Sequence, residues 1–532
     1  MKHSVAINSM AIMYPIEIKM NPLKEICVVK SMKSLLVSGS RFCAILVSLM
    51  GIAVHYQKNC KDINNFTINT SVCKFLGAVL YLPESMSKGY SQLINLAKSS
   101  YNLRQLSPAL SPITLSRSSK RRFLRYLDGF NFSGNPNKKN HTGYLLTSSN
   151  NKDGMPIAEV DLWNIETGKV VHSYRVRHDQ IIEMYNKSIK HPYAGGFILP
   201  TNPLLDHDGN LLLLVETTDK KNGLILKLDD CSNIIAFNSN YPFHHSLEKD
   251  EKGNIYIPIR KPESDQKFGF PENYYNEGFA ILDENLILTN VISLTDLMYE
   301  SGNEKEISST GDRLSMDPFH INDVHPLILE NGETIVYLSL RNRSLTMAYN
   351  IDRKHVIWQL HGATSQQHDI TPLDITGTSV SIFDNNIAKI DTINGFLRGE
   401  SANKVLKLEN LPVRRNPVTN KQYFLHYQSL MLHNIKSTAY SFGDLREDDK
   451  PKTISAGFSQ FDLDQDVLVI NEHNHGRIFA YDFNDGNILW SFFNKHSPSG
   501  ALFQTYNYFF KSLPASGDGD TVDLQNTACS RQ

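Results

Sequence analysis

Three groups of polar residues lie close together in the second half of the 532-residue chain. The first contains His320 and Asn322, the second contains Arg341, and the third contains His368. Arg341 directly follows the apolar run 335–340, which is typical of a strand, so the groups are expected at strand ends. A guanidinium and several imidazoles that converge offer N–H donors and one nitrogen base, a combination that suits a tetrahedral anion such as phosphate or sulfate. A single histidine is more often structural, so the hypothesis depends on the cluster.

The elements that must position these groups are strands. From Gly143 onward, short apolar or alternating runs recur, and turns rich in Asp, Asn and Gly precede them. Four examples begin at Gly209, Gly253, Gly332 and Gln465. Helical periodicity is scarce, so the sequence predicts an all-β body.

A second hairpin pattern, in which a strand, a polar turn, another strand and an aromatic residue follow one another, occurs three times. Each copy contains one of the three tryptophans, Trp163, Trp358 and Trp490, which we expect to pack between repeats. Repetition of this kind favours a β-propeller, and a pair of β-sandwiches is the weaker alternative. In a propeller, loops from successive blades meet at one mouth of the central channel, which is the geometry that the polar groups need.

The N-terminal part has a different character. Residues 1–57 form a region whose uncharged run, Phe42–Val54, lies within a candidate signal anchor at about residues 34–55. Basic residues before this run predict a cytoplasmic N-terminus and an exported body. A buried or interfacial helix without a membrane role is the alternative. Residues 58–140 are interpreted as a mixed linker region, and residues 141–532 as the propeller.

Composition excludes some classes of function. The formal net charge of −1 argues against a broad nucleic-acid surface. The six cysteines show no spacing typical of a metal site, and neither a disulfide scaffold nor a metal or cofactor is predicted. The sequence leaves the oligomeric state open.

A fourth polar group, His244-His245-Ser246, precedes the run that starts at Gly253. Four motifs follow one another in the chain: the His-His pair, HIND at 320–323, S-x-R at 339–341 and QHD at 367–369. In this order they resemble the arylsulfate sulfotransferase family, in its branch of membrane-anchored bacterial relatives. The resemblance covers 143–493. It implies a six-bladed propeller that moves a sulfuryl group from an aryl sulfate to a phenol by a ping-pong route, without a nucleotide donor.

By motif position, the resemblance implies that His368 carries the sulfuryl group as the nucleophile. Arg341 would bind the sulfuryl oxygens, while His320 and His245 would donate hydrogen bonds or exchange a proton with the phenol. Asn322 could orient His320 and contact substrate.

Two points in the resemblance are open. Ser246 stands where relatives usually have Asp, so either His244 or His245 could face the channel, and His244 is kept as a substrate-binding candidate. Glu472, at the end of a late strand, is a further substrate-binding candidate, whereas His473 and His475 are interpreted as part of a solvated turn.

Other functions compete with sulfotransfer. The chain could be a non-catalytic exported propeller that binds or scaffolds partners. A quinone-dependent dehydrogenase and a metal-dependent sulfate hydrolase are less favoured, because the sequence shows neither an adjacent cysteine pair nor a dense ligand cluster. The expected partners are therefore a small aryl sulfate donor, a phenol acceptor and a membrane, with the body in the periplasm.

Overall fold

The computed structural model describes residues 123, 126–132, 141–150, 157–187, 198–217, 223–261, 276–308, 318–392, 395–399, 402–453, 456–496, 501–502 and 507–510. All of them belong to one compact unit, Asn102–Gln532. The predicted anchor at about residues 34–55 lies outside the described residues, as does most of the predicted linker.

Strands dominate the described chain. In chain order they are β1 (Gly129–Phe132), β2 (Tyr144–Asn150), β3 (Ile157–Asn164), β4 (Lys169–Arg177), β5 (Ile198–Leu205), β6 (Leu211–Thr217), β7 (Gly223–Leu228), β8 (Ile234–Asn238), β9 (Glu248–Lys249), β10 (Ile255–Lys261), β11 (Asn276–Leu282), β12 (Leu288–Ser293), β13 (Ile321–Ile328), β14 (Thr334–Leu340), β15 (Leu345–Asn350), β16 (His355–His361), β17 (Asp369–Pro372), β18 (Val380–Asp384), β19 (Ala388–Thr392), β20 (Gly395–Gly399), β21 (Lys404–Glu409), β22 (Tyr423–His426), β23 (Lys436–Tyr440), β24 (Phe458–Asp462), β25 (Val467–Glu472), β26 (Arg477–Asp482), β27 (Asn487–Phe493), β28 (Lys495–His496), β29 (Ala501–Leu502) and β30 (Asn507–Phe510).

Helical elements are short and few in the same part of the chain. The α-helices are α1 (His178–Lys187), α2 (Leu294–Glu300) and α3 (Glu304–Ser308), and the 3-10 helices are Arg341–Arg343, Tyr427–His433 and His473–His475. None of the described helices is long and apolar enough to cross a membrane.

Six sheets form the blades of a propeller, which confirms the predicted all-β, six-bladed fold. Blade 1 contains β2, β3 and β4 with β30 at its inner edge, and blades 2 and 3 contain β5–β8 and β9–β12. Blade 4 contains β13–β16 with β22 as a fifth, outer strand, and blade 5 contains β17, β18, β21 and β23. Blade 6 contains β24–β27 with β1 at its outer edge. Two further hairpins, β19–β20 and β28–β29, stand apart from the blades.

The predicted tight turns connect the strands. In the turn before β6, one carboxylate oxygen of Asp206 accepts the backbone N–H groups of Asp208 and Asn210, both at 2.9 Å. Gly209 lies between them with a φ of 79°, a left-handed conformation that glycine adopts without strain. The turn before β10 repeats this arrangement around Asp250. Sequence-local hydrogen bonds therefore set the register of the hairpins.

The two ends of the described chain close the ring. The outer edge of blade 6 is β1, and blade 1 is completed by β30. Phe509 of β30 donates its backbone N–H to Gln460 of β24 at 2.8 Å, and the Gln460 amide returns a bond to the Phe509 carbonyl at 3.2 Å. Blades 1 and 6 are thus joined through side-chain bonds as well as packing.

The tryptophans pack between blades, as predicted. Trp358 is buried in a cluster that combines residues of blades 4 and 5, and Trp490 is buried in one that combines blades 1 and 6. Trp163 is half-buried against the same blade 1 and 6 cluster. The indole N–H of Trp490 donates to Nδ1 of His141 at 3.0 Å, so its polar atom is also satisfied.

Candidate functional site

His320 and Arg341 lie side by side at one end of blade 4. His320 precedes β13, Arg341 follows β14, and the two strands pair from Ile321 and Leu340. The Arg341 backbone N–H donates to the His320 carbonyl at 3.0 Å, which extends that pairing to the two functional residues. Antiparallel pairing therefore brings together two residues that are far apart in sequence.

Asn322 occupies an irregularity in the same strand pair. The register shifts between Ile321 and Asp323, so Asn322 is the extra residue of a bulge, a feature that re-aims a side chain. Its Nδ2 donates to the carbonyl of Gln367 at 2.9 Å, and Gln367 in turn donates to Leu345 at 2.9 Å. Asn322 thus ties blade 4 to the residue before His368, and its predicted role in orienting His320 stays a prediction.

The imidazole of His368 is held by Asn385, which follows β18. Nδ1 of His368 lies 2.5 Å from Oδ1 of Asn385 and 3.2 Å from the Gln366 carbonyl. The Asn385 amide is itself oriented, because its Nδ2 donates to the carbonyls of Thr453 and Ala456 at 3.2 and 3.0 Å. Both atoms that face Nδ1 are acceptors, so Nδ1 carries the proton and Nε2 has the lone pair.

Of the two neighbouring histidines, His245 faces the cluster. Its ring lies 4.8 Å from that of His320 in an edge arrangement and 6.5 Å from that of His368. His244 lies behind it: its Nδ1 is 2.7 Å from Nδ1 of His245, and its Nε2 is 4.0 Å from a carboxylate oxygen of Glu277. Of the two candidates, it is therefore His245 whose ring lies beside those of His320 and His368.

Burial and nearby positive charge lower the pKa of two site histidines, His368 and His245. Burial lowers the pKa of His368 well below its usual value, and the Arg341 guanidinium lowers it further. Burial also lowers the pKa of His245 well below its usual value, with smaller effects of His320 and His244 in the same direction. A neutral imidazole with a free Nε2 lone pair can act as a nucleophile at neutral pH.

Three segments of the site adopt backbone conformations that are uncommon for residues other than glycine. His245, His320 and Gln366 have φ values of 63°, 52° and 58°. Such left-handed residues cost free energy and persist where the surrounding structure enforces them, frequently at functional sites. Here each one immediately precedes or belongs to a segment that delivers a histidine to the cluster.

Sequence reasoning missed several supporting residues. Asn385 was not predicted, although it lies in a polar run, Asp384-Asn385-Asn386, directly after an apolar strand, which is a detectable signal. Glu216 accepts the His245 backbone N–H at 3.2 Å, and Glu277 accepts that of Ile321 at 3.1 Å. These contacts join residues more than 25 positions apart, so spacing gave no sign of them.

Glu472 has a structural contact. Its side chain is fully buried and lies 2.8 Å from Nη1 of Arg477, which is fully buried as well. Its other oxygen accepts the Lys452 backbone N–H at 2.8 Å. Its predicted role in substrate binding stays a prediction.

The interpretation of the next residues as a solvated turn is wrong. His473 is buried, and His475 bonds through Nε2 to the Lys452 carbonyl at 3.1 Å. The ring of Phe123, from the start of the described chain, lies 5.8 Å from that of His475. A segment distant in sequence covers this turn, which local patterns do not reveal.

A group of carboxylates and one imidazole lies near the histidines. Glu248, Asp323 and His325 each present a ligand atom, and these atoms lie within 4.8 Å of one another, a spacing that would allow a shared metal ion. Burial raises the pKa of Asp323 to about 6 and that of Glu248 well above its usual value. The sequence predicts no metal, and that expectation stays a prediction.

Ser246 belongs to this group. Its hydroxyl oxygen accepts the Val324 backbone N–H at 3.1 Å and is hydrogen-bonded to the Asp323 carboxylate. Ser246 is therefore a neutral hydrogen-bonding residue beside the buried Asp323 carboxyl group.

Comparisons with solved structures find many matches at low sequence identity. They include hydrazine synthase of Kuenenia stuttgartiensis (13% identity, TM-score 0.32, 63% of this chain and 72% of that chain covered). Others are the Cps50 (Swd1) β-propeller domain of Myceliophteria thermophila (9%, 0.34, 69% and 90%) and the periplasmic gluconolactonase PpgL of Pseudomonas aeruginosa (10%, 0.33, 72% and 94%). No curated protein sequence matches the chain.

The sequence comparison is more specific than the structural ones. The profile of the family described as Arylsulfotransferase (ASST) matches residues 207–495. This range includes His245, His320, Arg341, His368 and Asn385, the residues that meet in the site. The chain belongs to the arylsulfotransferase (ASST) family.

Proposed function

We propose that this chain transfers a sulfuryl group from an aryl sulfate ester to a phenol, and that His368 carries the group between the two half-reactions. The observation that supports this most is the bond between Nδ1 of His368 and Asn385, which leaves Nε2 unprotonated. Family membership supports aryl sulfate chemistry in general.

In the first half-reaction, the Nε2 lone pair of His368 attacks the sulfur, and the bond between sulfur and the aryl oxygen breaks. The electron pair of that bond leaves with the phenolate. The product is an N-sulfohistidine whose ring has a positive charge, and Nδ1–H donates a hydrogen bond to Oδ1 of Asn385, which stabilises that charge. Arg341 supplies a fixed positive charge for the sulfuryl oxygens.

In the second half-reaction, the oxygen of the acceptor phenol attacks the same sulfur, and the bond between sulfur and Nε2 breaks. His368 is thereby restored to its neutral imidazole form. The proton of the phenol passes to the neutral imidazole of His245 and from there to solvent or to the next leaving phenolate. No nucleotide sulfate enters this cycle.

The test is turnover with a chromogenic aryl sulfate and a phenol, in the absence of any nucleotide. We expect phenolate release in the wild type that increases with acceptor concentration, and its loss in His368→Ala. His433→Ala is the matched control, because His433 is exposed at the edge of the propeller and should leave turnover unchanged. Release that persists in His368→Ala would contradict the proposal.

A non-catalytic binding propeller is the second candidate. It would be favoured if the folded wild type failed to release phenolate from any of a panel of aryl sulfates. The oriented His368 ring argues for the enzyme, because a scaffold has no need for a defined imidazole tautomer.

We also propose that the N-terminal region anchors the protein in a membrane and that the propeller is extracytoplasmic, in the periplasm. The apolar run Phe42–Val54 supports the anchor. Cys231 of the propeller is disulfide-bonded, and disulfides persist in oxidising compartments. Protease added to intact spheroplasts should digest the propeller; protection from that protease would contradict the periplasmic location.

A further inference from the structure

The segment 410–435 leaves blade 5 and runs over the edge of blade 4. It connects β21 to β23, which pair directly with each other, so blade 5 needs no more than a short turn here. Instead, the segment contributes β22, which pairs in parallel with β16 as the outer strand of blade 4, and then the 3-10 helix Tyr427–His433. We refer to residues 410–435 as the blade 4 flap.

The flap has both buried and exposed apolar side chains. Leu411, Leu425, Leu430 and Ile435 are buried in the cluster between blades 4 and 5, and they fix the flap to the propeller. Other residues of the flap present large apolar side chains to solvent. These are Val418, Met431, Leu432, Phe424 and Tyr427, with exposures of 91%, 87%, 84%, 62% and 37%.

This exposure is concentrated rather than scattered. Val418, Met431 and Leu432 are the three most exposed large apolar side chains of the described part of the chain. Isolated exposed apolar residues are ordinary, whereas a concentration of them on one element indicates a binding surface.

The charge of the flap identifies the class of partner. Residues 410–435 contain Arg414, Arg415 and Lys421 and no Asp or Glu, although the whole chain is nearly neutral. Arg414 and Lys421 are exposed. Aromatic and aliphatic side chains combined with basic ones, without acidic residues, are typical of segments that lie in the interface of an anionic membrane. The core of a protein interface, in contrast, is depleted in lysine.

We propose that the blade 4 flap docks on an anionic lipid surface, with Phe424, Met431 and Leu432 entering the interface and Arg414 and Lys421 facing the lipid headgroups. This binding site is separate from the sulfuryl-transfer site and does not depend on the proposed function.

The position of the flap differs from that of the histidines. His320 and His368 lie where the first strands of their blades begin, and Arg341 lies where a second strand ends. The flap follows the third strand of blade 5, and consecutive connections in an antiparallel sheet alternate between its two ends. The flap therefore leaves its blade at the end opposite the histidines. Because β22 then runs parallel to β16 as the outermost strand of blade 4, the flap lies at the outer rim of the propeller, whereas His320 and His368 lie at the starts of the innermost strands of their blades.

The test uses the full chain, so that any N-terminal anchor is the same in all variants. Leu432→Trp places an indole on the exposed side of the flap. Ile235→Trp is the matched control, because Ile235 is 52% exposed on β8 of blade 2, which lies opposite blade 5 in the ring of six. Vesicles of phosphatidylcholine and phosphatidylglycerol in equal parts, with brominated acyl chains, quench indoles that enter the bilayer.

We expect brominated vesicles to quench the fluorescence of Leu432→Trp several-fold more than that of Ile235→Trp, and vesicles without phosphatidylglycerol to abolish the difference. Adding Arg414→Gln and Lys421→Gln to Leu432→Trp should lower the affinity for the anionic vesicles at least ~10-fold. The reason is that each basic residue near an anionic surface increases membrane affinity about fivefold. Equal quenching at the two positions would overturn the proposal. So would a blue shift of the Leu432→Trp emission with protein concentration in the absence of lipid, because it would identify a second copy of the chain as the occupant.

Discussion

At the scale of single residues, the protonation and orientation of one imidazole decide what the site can do. Oδ1 of Asn385 accepts a hydrogen bond from Nδ1–H of His368, and Nδ2 of Asn385 donates to two backbone carbonyls that fix the amide. Asn385 thus has the role of the residue that orients the histidine in a catalytic triad: it selects the tautomer of the imidazole and does not take its proton.

Asn385→Ala should therefore slow sulfation of His368 by about 10²-fold, because the ring loses its preferred tautomer and orientation. The rate of phenolate release in a single turnover measures this step. Asn386→Ala is the control, since Asn386 bonds to the Ala402 carbonyl at 2.9 Å, and its rate should stay close to that of the wild type. Equal rates for Asn385→Ala and the wild type would remove Asn385 from the account.

The pH dependence of the same step follows from the lowered pKa of His368. The nucleophile stays neutral as pH falls through the usual histidine range, so the rate should decline only at a pH well below 6.5. Arg341→Gln removes a charge that opposes protonation, which should raise the pKa of His368 and move the decline to higher pH.

The acidic limb is the part of the pH profile where the rate declines at low pH. Its midpoint can be measured for each variant separately, even when the variant is slow. Arg343→Gln is the matched control, because the Arg343 guanidinium lies over the ring of Phe319, 5.2 Å from its centre. An acidic limb that shifts equally in Arg341→Gln and Arg343→Gln, or shifts downward in Arg341→Gln, would contradict the electrostatic role of Arg341.

At the scale of elements, the strands and hairpins could be predicted from the sequence because their determinants are local. Asp206 and Asp250 bond to backbone groups within four residues, and glycine provides the left-handed turn positions. His320, Arg341 and His368 could be proposed because each belongs to a motif at a strand end. The contacts of Asn385, by comparison, depend on a segment about 70 residues further along the chain.

Glu472 connects two strands of blade 6. The Glu472–Arg477 pair joins the end of β25 to the start of β26 with both side chains fully buried. Glu472→Gln replaces the buried carboxylate beside the Arg477 guanidinium by a neutral amide, which should lower the free energy of unfolding by about 3 kcal/mol.

Chemical denaturation measures that loss, and Glu183→Gln provides the comparison. Glu183 pairs with Lys187 at 3.0 Å on α1, with both side chains more than half exposed, so its replacement should change stability by less than about 0.5 kcal/mol. Equal stability losses in the two variants would show that burial of the pair does not matter.

At the scale of the whole molecule, the propeller depends on closure by segments from both ends of the described chain. The sequence did not predict β30 as the inner strand of blade 1, since its four residues pair with a strand more than 350 positions earlier. Long-range pairing of this kind leaves no local pattern.

Phe509→Ala should destabilise the protein by about 3–5 kcal/mol, because Phe509 is buried in the cluster between blades 1 and 6 where the ring closes. Thermal unfolding measures the change, and Phe424→Ala is the control, since Phe424 is 62% exposed. If the two variants unfolded at the same temperature, closure through β30 would not contribute to stability.

The most direct test of the central claim is to trap the covalent intermediate. The wild type is incubated with an aryl sulfate without acceptor, digested at alkaline pH, and mapped by mass spectrometry. We predict a gain of about 80 Da, the mass of SO₃, on the peptide that contains His368, with the sulfur on Nε2. The gain should disappear when phenol is added. Turnover without modification of His368, or attachment of the sulfur at Nδ1, would contradict the account.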